Sequence, residues 1–222
     1  MEPAQPRDGG EEPGVALWVL SARGAEHAPV DTGALDPAEL ARAAEIADPH
    51  ARARYLLAHV TLRRHLGRFL DLDPGAITFA RLPCPVCGGP TGRPTVVDAP
   101  RPVHFSLSAR GDVVLIGVAG VPLGVDVEVI PRFGTVPDVT RLLHPAEAAE
   151  LAASPPDDHA VAFTRLWTRK EAYLKATGAG IAHGLGTAYV GLADDAGAPP
   201  GWRLRRVGVP PGYRAAAAVA VP

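Results

Sequence analysis

The sequence predicts an α+β fold built from two similar halves, residues 15–120 and 121–222. The chain has 222 residues, of which 47% are hydrophobic, and this is enough to bury a core. Strand-like alternation and helix-like spacing of apolar residues both occur in each half. The order of the elements is also comparable in the two halves, which suggests a pseudo-duplication. A plain two-layer α+β domain is the alternative, because hydrophobic periodicity does not separate the two.

In the N-terminal half the patterns predict strands at 15–20, 77–80, 103–108 and 112–118, helices at 36–48 and 52–70, and a loop rich in Pro, Gly and Cys at 83–95. The first helix begins at Asp36, whose side chain can cap it, and Pro37 suits the first helical position. Pro49 is predicted to end this helix, because proline lacks the backbone N–H that a helix interior uses. The second helix is predicted from the spacing of Leu56, Leu57, Val60, Leu66, Phe69 and Leu70.

In the C-terminal half the patterns predict strands at 124–130, 185–193 and 202–219 and helical segments at 138–143, 145–153 and 160–177. The segment 160–177 has the most regular helical pattern of this half. The last strand is rich in Ala and Val, and we expect it to be buried. Residues 1–14 are polar, acidic and rich in Pro and Gly, which predicts a disordered leader.

Composition excludes several classes of protein. The chain has 22 basic and 24 acidic residues, a net charge of −2, so it lacks the basic surface of a nucleic-acid-binding protein. The N-terminus has no apolar signal segment, and the most apolar run, 113–125, is too short to span a bilayer. We therefore expect a cytoplasmic protein. The cysteines Cys84 and Cys87 form one C-x-x-C, half of a zinc ligand set, and a reduced, tight turn is the favoured interpretation.

Lysine is rare in this chain. It has 20 Arg but two Lys, and both lysines, Lys170 and Lys175, fall within six residues. Lysine differs from arginine in carrying a compact charge and in losing its proton more readily when it is desolvated. This pairing indicates that lysine chemistry is needed in the segment.

Two acidic residues share one face of the predicted strand 124–130. Because side chains alternate along a strand, Asp126 and Glu128 point away from the three valines between and beside them. Two such carboxylates repel each other unless solvent, a cation or a proton relieves the repulsion. One interpretation is a half-exposed strand with a wet acidic face. The other is a site for a hard cation such as Mg²⁺.

The predicted helix 160–177 places three notable residues on one face. Trp167, Glu171 and Lys175 lie at i, i+4 and i+8, with Lys170 alongside. An ordinary Glu–Lys pair on a solvated helix is one interpretation. A third carboxylate, Glu171, close to the acidic pair of the strand would instead complete a magnesium site with three acidic ligands.

Together these segments resemble the Sfp-type 4′-phosphopantetheinyl transferases. The strand motif G-[VI]-D-[VI]-E is matched by Gly124–Glu128, and the helix motif W-x-x-K-E-[AS]-x-x-K by Trp167–Lys175. A Leu-Leu-His-Pro-Ala-Glu147 segment lies between them, as is typical. Weaker similarity is seen at Gly92–Pro94, which is similar to a G-[KR]-P turn, and at His104–Ser108, which is similar to the strand end F-N-[IVL]-S-H. The resemblance covers roughly residues 36–219.

The chain departs from the family motif at one strand end. Ala109 stands where the family has a histidine that reaches the cofactor phosphates, and Ser106 replaces the asparagine. Arg110 is the next residue, and we expect it to compensate for the missing histidine. An arginine that points to solvent from the turn is the alternative.

The resemblance implies a fold of two similar halves with the active site in the cleft between them. It also implies a reaction, the transfer of 4′-phosphopantetheine from coenzyme A to a serine of an acyl- or peptidyl-carrier protein, which releases 3′,5′-ADP. It implies Mg²⁺ on Asp126, Glu128 and Glu171, with Lys175 contacting the α-phosphate and protonating the leaving group. Either Glu147 or a water on the metal takes the serine proton. The residues implied to contact coenzyme A are Arg42, Arg54, Arg93, Ser108, Arg110, Lys170 and Lys175.

The same residues are also compatible with two other functions. The same carboxylates would also suit a Mg²⁺-dependent phosphohydrolase, and the missing histidine would suit a non-catalytic module that binds coenzyme A or a carrier protein. For Arg42, an exposed helix arginine without a ligand role is an equal alternative. We expect a monomer, and the carrier proteins of fatty acid, polyketide or non-ribosomal peptide synthesis are not distinguished.

Overall fold

The computed structural model describes residues 14–27, 29–131, 138–180, 184–193 and 197–221. Residues 1–13 of the predicted leader lie outside this part of the chain. The helices and strands, in chain order, are β1 (Val15–Ser21), α1 (Pro37–Glu45), α2 (Pro49–Leu70), β2 (Phe79–Arg81), β3 (Pro94–Val96), β4 (His104–Arg110), β5 (Val113–Ala119), β6 (Leu123–Val129), α3 (Pro145–Ala152), α4 (His159–Thr177), β7 (Trp202–Arg206) and β8 (Tyr213–Ala220). Helices and strands are mixed along the chain, which confirms the α+β class.

The strands form two antiparallel sheets of three strands each, in the orders β1-β5-β4 and β6-β8-β7, and β2 pairs with β3. Helix α2 packs on the first sheet and α4 on the second, each over its own apolar cluster. All strands of the first sheet precede residue 120 and all strands of the second follow it. Each half therefore combines one long helix with one sheet. The duplication itself stays a prediction.

The two sheets are joined by an apolar cluster and by serine hydroxyls. Residues of β5, including Leu115, pack with residues of β6 and β8 in one buried cluster. Between the neighbouring strands β4 and β6, the backbone N–H of Val125 donates to Ser106 Oγ (3.0 Å) and that of Val127 donates to Ser108 Oγ (3.3 Å). Side chains therefore bridge the two halves where they meet, and this fixes β6 against β4.

The predicted strand at 185–193 is wrong, because residues 184–193, all described, contain none. Side chains from α3 and α4 take up the backbone groups of this segment instead. The N–H of Val190 donates to Glu147 and the N–H of Leu192 donates to Glu150, while the Val190 carbonyl accepts from Arg169. An apolar run can be buried without a strand partner when polar side chains satisfy its backbone.

Two further boundaries differ from the sequence prediction. Helix α1 ends at Glu45, and Pro49 begins α2 rather than ending α1. Asp48 caps α2 by accepting from the N–H of Ala51 at 3.0 Å, and proline is tolerated at the first helical position. The predicted strand 202–219 is two strands, because the chain turns at Gly212, whose φ is +87°.

Candidate active site

Helix α4 lies directly against β6, and the glycine of the strand motif permits this contact. A Cβ atom at Gly124 would collide with the carbonyl oxygen of Ala172 and the nitrogen of Ala176, both in the helix backbone. Only a residue without a side chain allows such an approach. The close packing brings the acidic residues of β6 next to Glu171 and Lys175 of α4. The two separate sequence motifs therefore meet at one place.

Asp126 is the buried centre of this place. Its side chain is 4% exposed, and Oδ1 accepts from Ser108 Oγ at 2.9 Å and from Lys175 Nζ at 2.6 Å. Lys175 Nζ also donates to the Val125 carbonyl at 3.3 Å. The other oxygen, Oδ2, is buried without a hydrogen-bond partner among the described residues. Burying a carboxylate oxygen without a partner lowers the stability of the fold, unless a cation or a hydrogen-bond donor binds to it.

Glu128 lies two residues further along β6, closer to solvent. Arg110 Nε contacts its Oε2 at 3.0 Å, and the exposed fractions of the two side chains are 63% for Arg110 and 28% for Glu128. Burial raises the pKa of Glu128, and the neighbouring Asp126 raises it further, while Arg110 and Lys175 oppose the shift. Charge repulsion within the acidic pair is therefore present and is only partly relieved by the nearby cations.

Glu171 of α4 joins the acidic pair. Burial raises the pKa of its carboxyl, Lys175 lowers it, and Asp126 and Glu128 both raise it. The charges of Asp126, Glu128 and Lys175 therefore all act on the Glu171 carboxyl.

The three carboxylates fit a magnesium ion in their chemistry. Within the described ranges, no three His, Cys, Asp or Glu side chains converge as a ready-made metal site. Lys175 and Arg110 instead sit against Asp126 and Glu128. However, Asp126 Oδ2 has no hydrogen-bond partner among the described residues, and carboxylate oxygens are the ligands that Mg²⁺ prefers. In the described part of the chain, Lys175 and Arg110, and no third carboxylate, are the direct charged partners of Asp126 and Glu128.

A pocket of about 770 Å³ opens beside these carboxylates. Residues of both halves line it, so it lies in the cleft between them. Glu171 and Lys175 form one wall, and Arg81, Arg93 and Gly92 lie on the opposite half. Its volume falls within the range of small-molecule binding sites.

Aromatic residues line the far end of the pocket. Tyr55 and His59 of α2 stack with ring centroids 3.8 Å apart, and Phe79 and Phe105 lie 5.2 Å apart. Tyr55, His59 and Arg81 were not among the predicted site residues. Their i, i+4 spacing on a helix with several arginines was the available signal for the first two, but periodicity alone does not show that a helix face lines a pocket.

The predicted coenzyme A arginines have different locations. Arg93 lines the pocket, and its Nη1 donates to the Ala176 carbonyl at 3.1 Å. Arg42 is exposed on α1, where it pairs with Glu45 at 2.9 Å. Arg54 donates to the Gly111 carbonyl at 2.6 Å. Neither Arg42 nor Arg54 is among the residues that line the pocket.

Residues of β4 divide between two faces. Ser108 is 8% exposed and faces β6, so it holds Asp126 rather than reaching into the pocket. Arg110 shares that face and reaches Glu128, whereas Ala109 packs on the other face, with the apolar cluster under α2. Because neighbouring residues of a strand point to opposite faces, Arg110 does not occupy the place of a histidine at position 109.

Glu147 and Lys170 are both completely buried and face each other. Lys170 Nζ lies 2.7 Å from Glu147 and also donates to the Ala188 carbonyl, while Glu147 further accepts from the N–H groups of Val190 (2.8 Å) and His144 (3.2 Å). Burial lowers the pKa of Lys170, and Glu147 opposes this shift. This placement contradicts direct roles as base and as coenzyme A ligand, because neither side chain reaches solvent or the pocket. The pair instead ties α3 and α4 to the segment 188–190.

Comparisons with known proteins agree with the motifs. Residues 122–206 match the family model of the 4′-phosphopantetheinyl transferase superfamily. The 4′-phosphopantetheinyl transferase HetI of Nostoc sp. is 32% identical over 173 residues, which are 76% of this chain and 70% of HetI. This chain belongs to the 4′-phosphopantetheinyl transferase superfamily.

Within the family, the chain is also similar to two Bacillus proteins. A 4′-phosphopantetheinyl transferase of Bacillus subtilis is 30% identical over 142 residues, and the 4′-phosphopantetheinyl transferase psf-1 of Bacillus pumilus is 35% identical over 104 residues. These alignments cover 64% and 47% of this chain and 59% and 44% of the two relatives. The chain therefore spans less than two thirds of their length. Among the described residues, no helix is long and apolar enough to cross a membrane.

Proposed function

We propose that the protein transfers the 4′-phosphopantetheine group of coenzyme A to a serine of an acyl- or peptidyl-carrier protein and releases 3′,5′-ADP. One observation carries the proposal: Glu171 and Lys175 line a pocket of about 770 Å³ between the two halves, and Lys175 Nζ lies 2.6 Å from the buried Asp126. A single chain supplies both walls of this pocket, which supports a monomer. We further propose that it works in the cytoplasm.

Charge on the pocket walls suits a polyphosphate. Arg81, Arg93 and Lys175 supply three cations around the cavity, and guanidinium groups bind phosphate oxygens in pairs. Tyr55 and His59 offer a flat apolar surface at the far end, suited to a purine ring. Coenzyme A carries both features, with its diphosphate between the adenosine and pantetheine ends.

The transfer itself needs a nucleophile, a proton acceptor and a stabilised leaving group. The carrier serine Oγ attacks the phosphorus that bears pantetheine, and the bond from that phosphorus to the bridging oxygen breaks. Lys175 lies at the acidic cluster and neutralises the charge on the departing 3′,5′-ADP. Glu171 lines the pocket and has a carboxyl pKa raised by burial, so it is suited to accept the serine proton.

Asp126, Glu128 and Glu171 would hold magnesium. Bound there, the ion would supply additional neutralisation of the diphosphate charge. Ser108 holds Asp126 in place through its hydroxyl, and Arg110 does the same for Glu128.

The test is intact-mass analysis of a panel of apo carrier proteins incubated with coenzyme A, Mg²⁺ and the protein. We expect a carrier to gain one phosphopantetheine group while 3′,5′-ADP appears in equal amount. Release of free phosphopantetheine without carrier modification would instead identify a hydrolase. Binding of coenzyme A without any product would identify a non-catalytic module.

A further inference from the structure

The C-x-x-C segment forms a closed loop whose two ends adjoin Arg81 and Gly92 of the pocket lining. Its base is held by a hydrogen bond from the N–H of Leu82 to the Arg93 carbonyl at 3.0 Å. Within the loop, Cys84 N–H donates to the Gly89 carbonyl (2.7 Å), and Gly88 N–H donates to the Cys84 carbonyl (2.9 Å). Both cysteines are free thiols, with Cys84 buried and Cys87 exposed. The turn therefore presents one thiol to solvent and keeps the other beneath it.

The surroundings of the Cys84 sulfur favour its thiolate form. Hydrogen bonding to the backbone of Cys87 and Val86 and to the Cys87 side chain lowers the pKa of the Cys84 thiol, and burial opposes this shift. Backbone donors that converge on one sulfur stabilise negative charge there. Cys84 is therefore the thiol of the pair that is suited to attack a disulfide sulfur on Cys87, which lies in the same tight turn.

We propose that Cys84 and Cys87 form a thiol–disulfide pair that is oxidised by low-molecular-weight disulfides such as oxidised glutathione. The exposed Cys87 sulfur attacks the disulfide, a mixed disulfide forms, and one small thiol leaves. The Cys84 thiolate then attacks the Cys87 sulfur, and the second small thiol leaves. The protein pair loses two protons and two electrons, and these are recovered in the two small thiols.

Geometry favours this chemistry over a metal site. Among the residues of the described segments, no third His, Cys, Asp or Glu joins the two cysteines, whereas a structural zinc site needs four ligands. A disulfide needs the two cysteines alone.

The pair also lies where its oxidation would alter the pocket. Cys84 Sγ is 4.0 Å from the carbonyl oxygen of Ala179, and the flanking Gly178 and Gly180 line the pocket. At the other end of the loop, Thr91 and Arg93 also line it. A disulfide removes the Cys84 S–H that contacts the Ala179 carbonyl, and we infer that this alters the adjoining wall of the pocket. This second step rests on the proposed binding of coenzyme A.

The experiment equilibrates the full chain in mixtures of oxidised and reduced glutathione, then measures mass and free thiols after alkylation. We expect the wild type to lose both thiols without retaining glutathione. Cys84→Ser should stop at a mixed disulfide on Cys87, and Cys87→Ser should react at least about tenfold more slowly because its remaining thiol is buried. Persistent glutathione on the wild type, equal rates for the two variants, or co-purified zinc that protects the thiols would overturn the proposal.

Coenzyme A binding is then measured for the reduced and oxidised wild type by calorimetry. A several-fold weaker affinity after oxidation, absent in Cys87→Ser treated in the same way, is expected. Equal affinity would refute the effect on the pocket. If the reduced protein binds no coenzyme A at all, the proposed function fails, and the thiol–disulfide result is unaffected.

Discussion

Replacing Lys170 by methionine should strongly destabilise the protein, because it removes one member of a fully buried ion pair. Both Lys170 and Glu147 are 0% exposed, and the methionine would leave the carboxylate with the backbone donors of Val190 and His144. Breaking such a pair by removing one partner costs about 3–5 kcal/mol. This is a large share of the roughly 5–15 kcal/mol that stabilises a typical domain.

The double variant Lys170→Met/Glu147→Gln is the matched control. It removes both charges together, while the glutamine carbonyl can still accept from Val190. We expect a loss of about 1–2 kcal/mol, because the costly state is the unpaired buried charge and not the absence of the pair. The double variant should therefore lose less stability than Lys170→Met alone, which is the opposite of additive behaviour.

Urea unfolding followed by tryptophan fluorescence measures both effects, since Trp167 and Trp202 pack against the cluster that surrounds α4. A loss below about 1 kcal/mol for Lys170→Met, with an unchanged denaturant slope, would refute the buried-pair reasoning. Turnover per folded molecule gives the second readout. Glu147→Gln should keep this turnover within a few-fold of wild type, and its complete loss would restore Glu147 as the base.

Four further results are expected. Asp126→Ala should abolish transfer while unfolding stays cooperative, as read by carrier mass and by urea titration, because the buried centre of the carboxylate cluster is gone. Lys175→Arg should slow transfer strongly in steady-state kinetics, since the larger guanidinium does not fit the contact with Asp126. Arg93→Ala should weaken coenzyme A binding about tenfold, and Arg42→Ala should not, because Arg93 alone of the two lines the pocket. Unfolding free energy should fall by about 1–2 kcal/mol between pH 6.5 and pH 4, because burial lowers the pKa of His65 to about 4 while the partial solvent exposure of the ring weakens the effect.

Each expectation has a contradicting result. Full transfer by Asp126→Ala, or by the wild type in excess chelator, would remove the metal site. Unchanged transfer kinetics in Lys175→Arg would mean that Lys175 only pairs with the carboxylates and does not act in the transfer. Equal coenzyme A affinity in the two arginine variants would show that Arg93 does not bind the phosphates. For His65, the neutral imidazole stacks on Trp18 at 3.7 Å, so stability is complete above pH 6.5 and is lost towards pH 4. A His65→Gln variant should flatten this slope.

The sequence alone determined the features that depend on near neighbours along the chain. Asp126 and Glu128 share a strand face because side chains alternate, and Glu171 and Lys175 share a helix face because they are four residues apart. The α+β class followed from the same periodicities. These relations hold wherever a strand or a helix forms, so no knowledge of the tertiary fold was needed.

The tertiary structure decided which residues face each other across long separations in sequence. Glu147 and Lys170 carry the charges of catalytic groups, yet packing of α3 against α4 buries them together. The segment 185–193 has a strand-like pattern, yet side chains of α3 and α4 satisfy its backbone. Ser108 faces Asp126 and not the pocket because β4 lies beside β6. Burial and pairing depend on how the elements pack. The sequence does not show this packing, because a strand and a buried loop can have the same pattern of apolar residues.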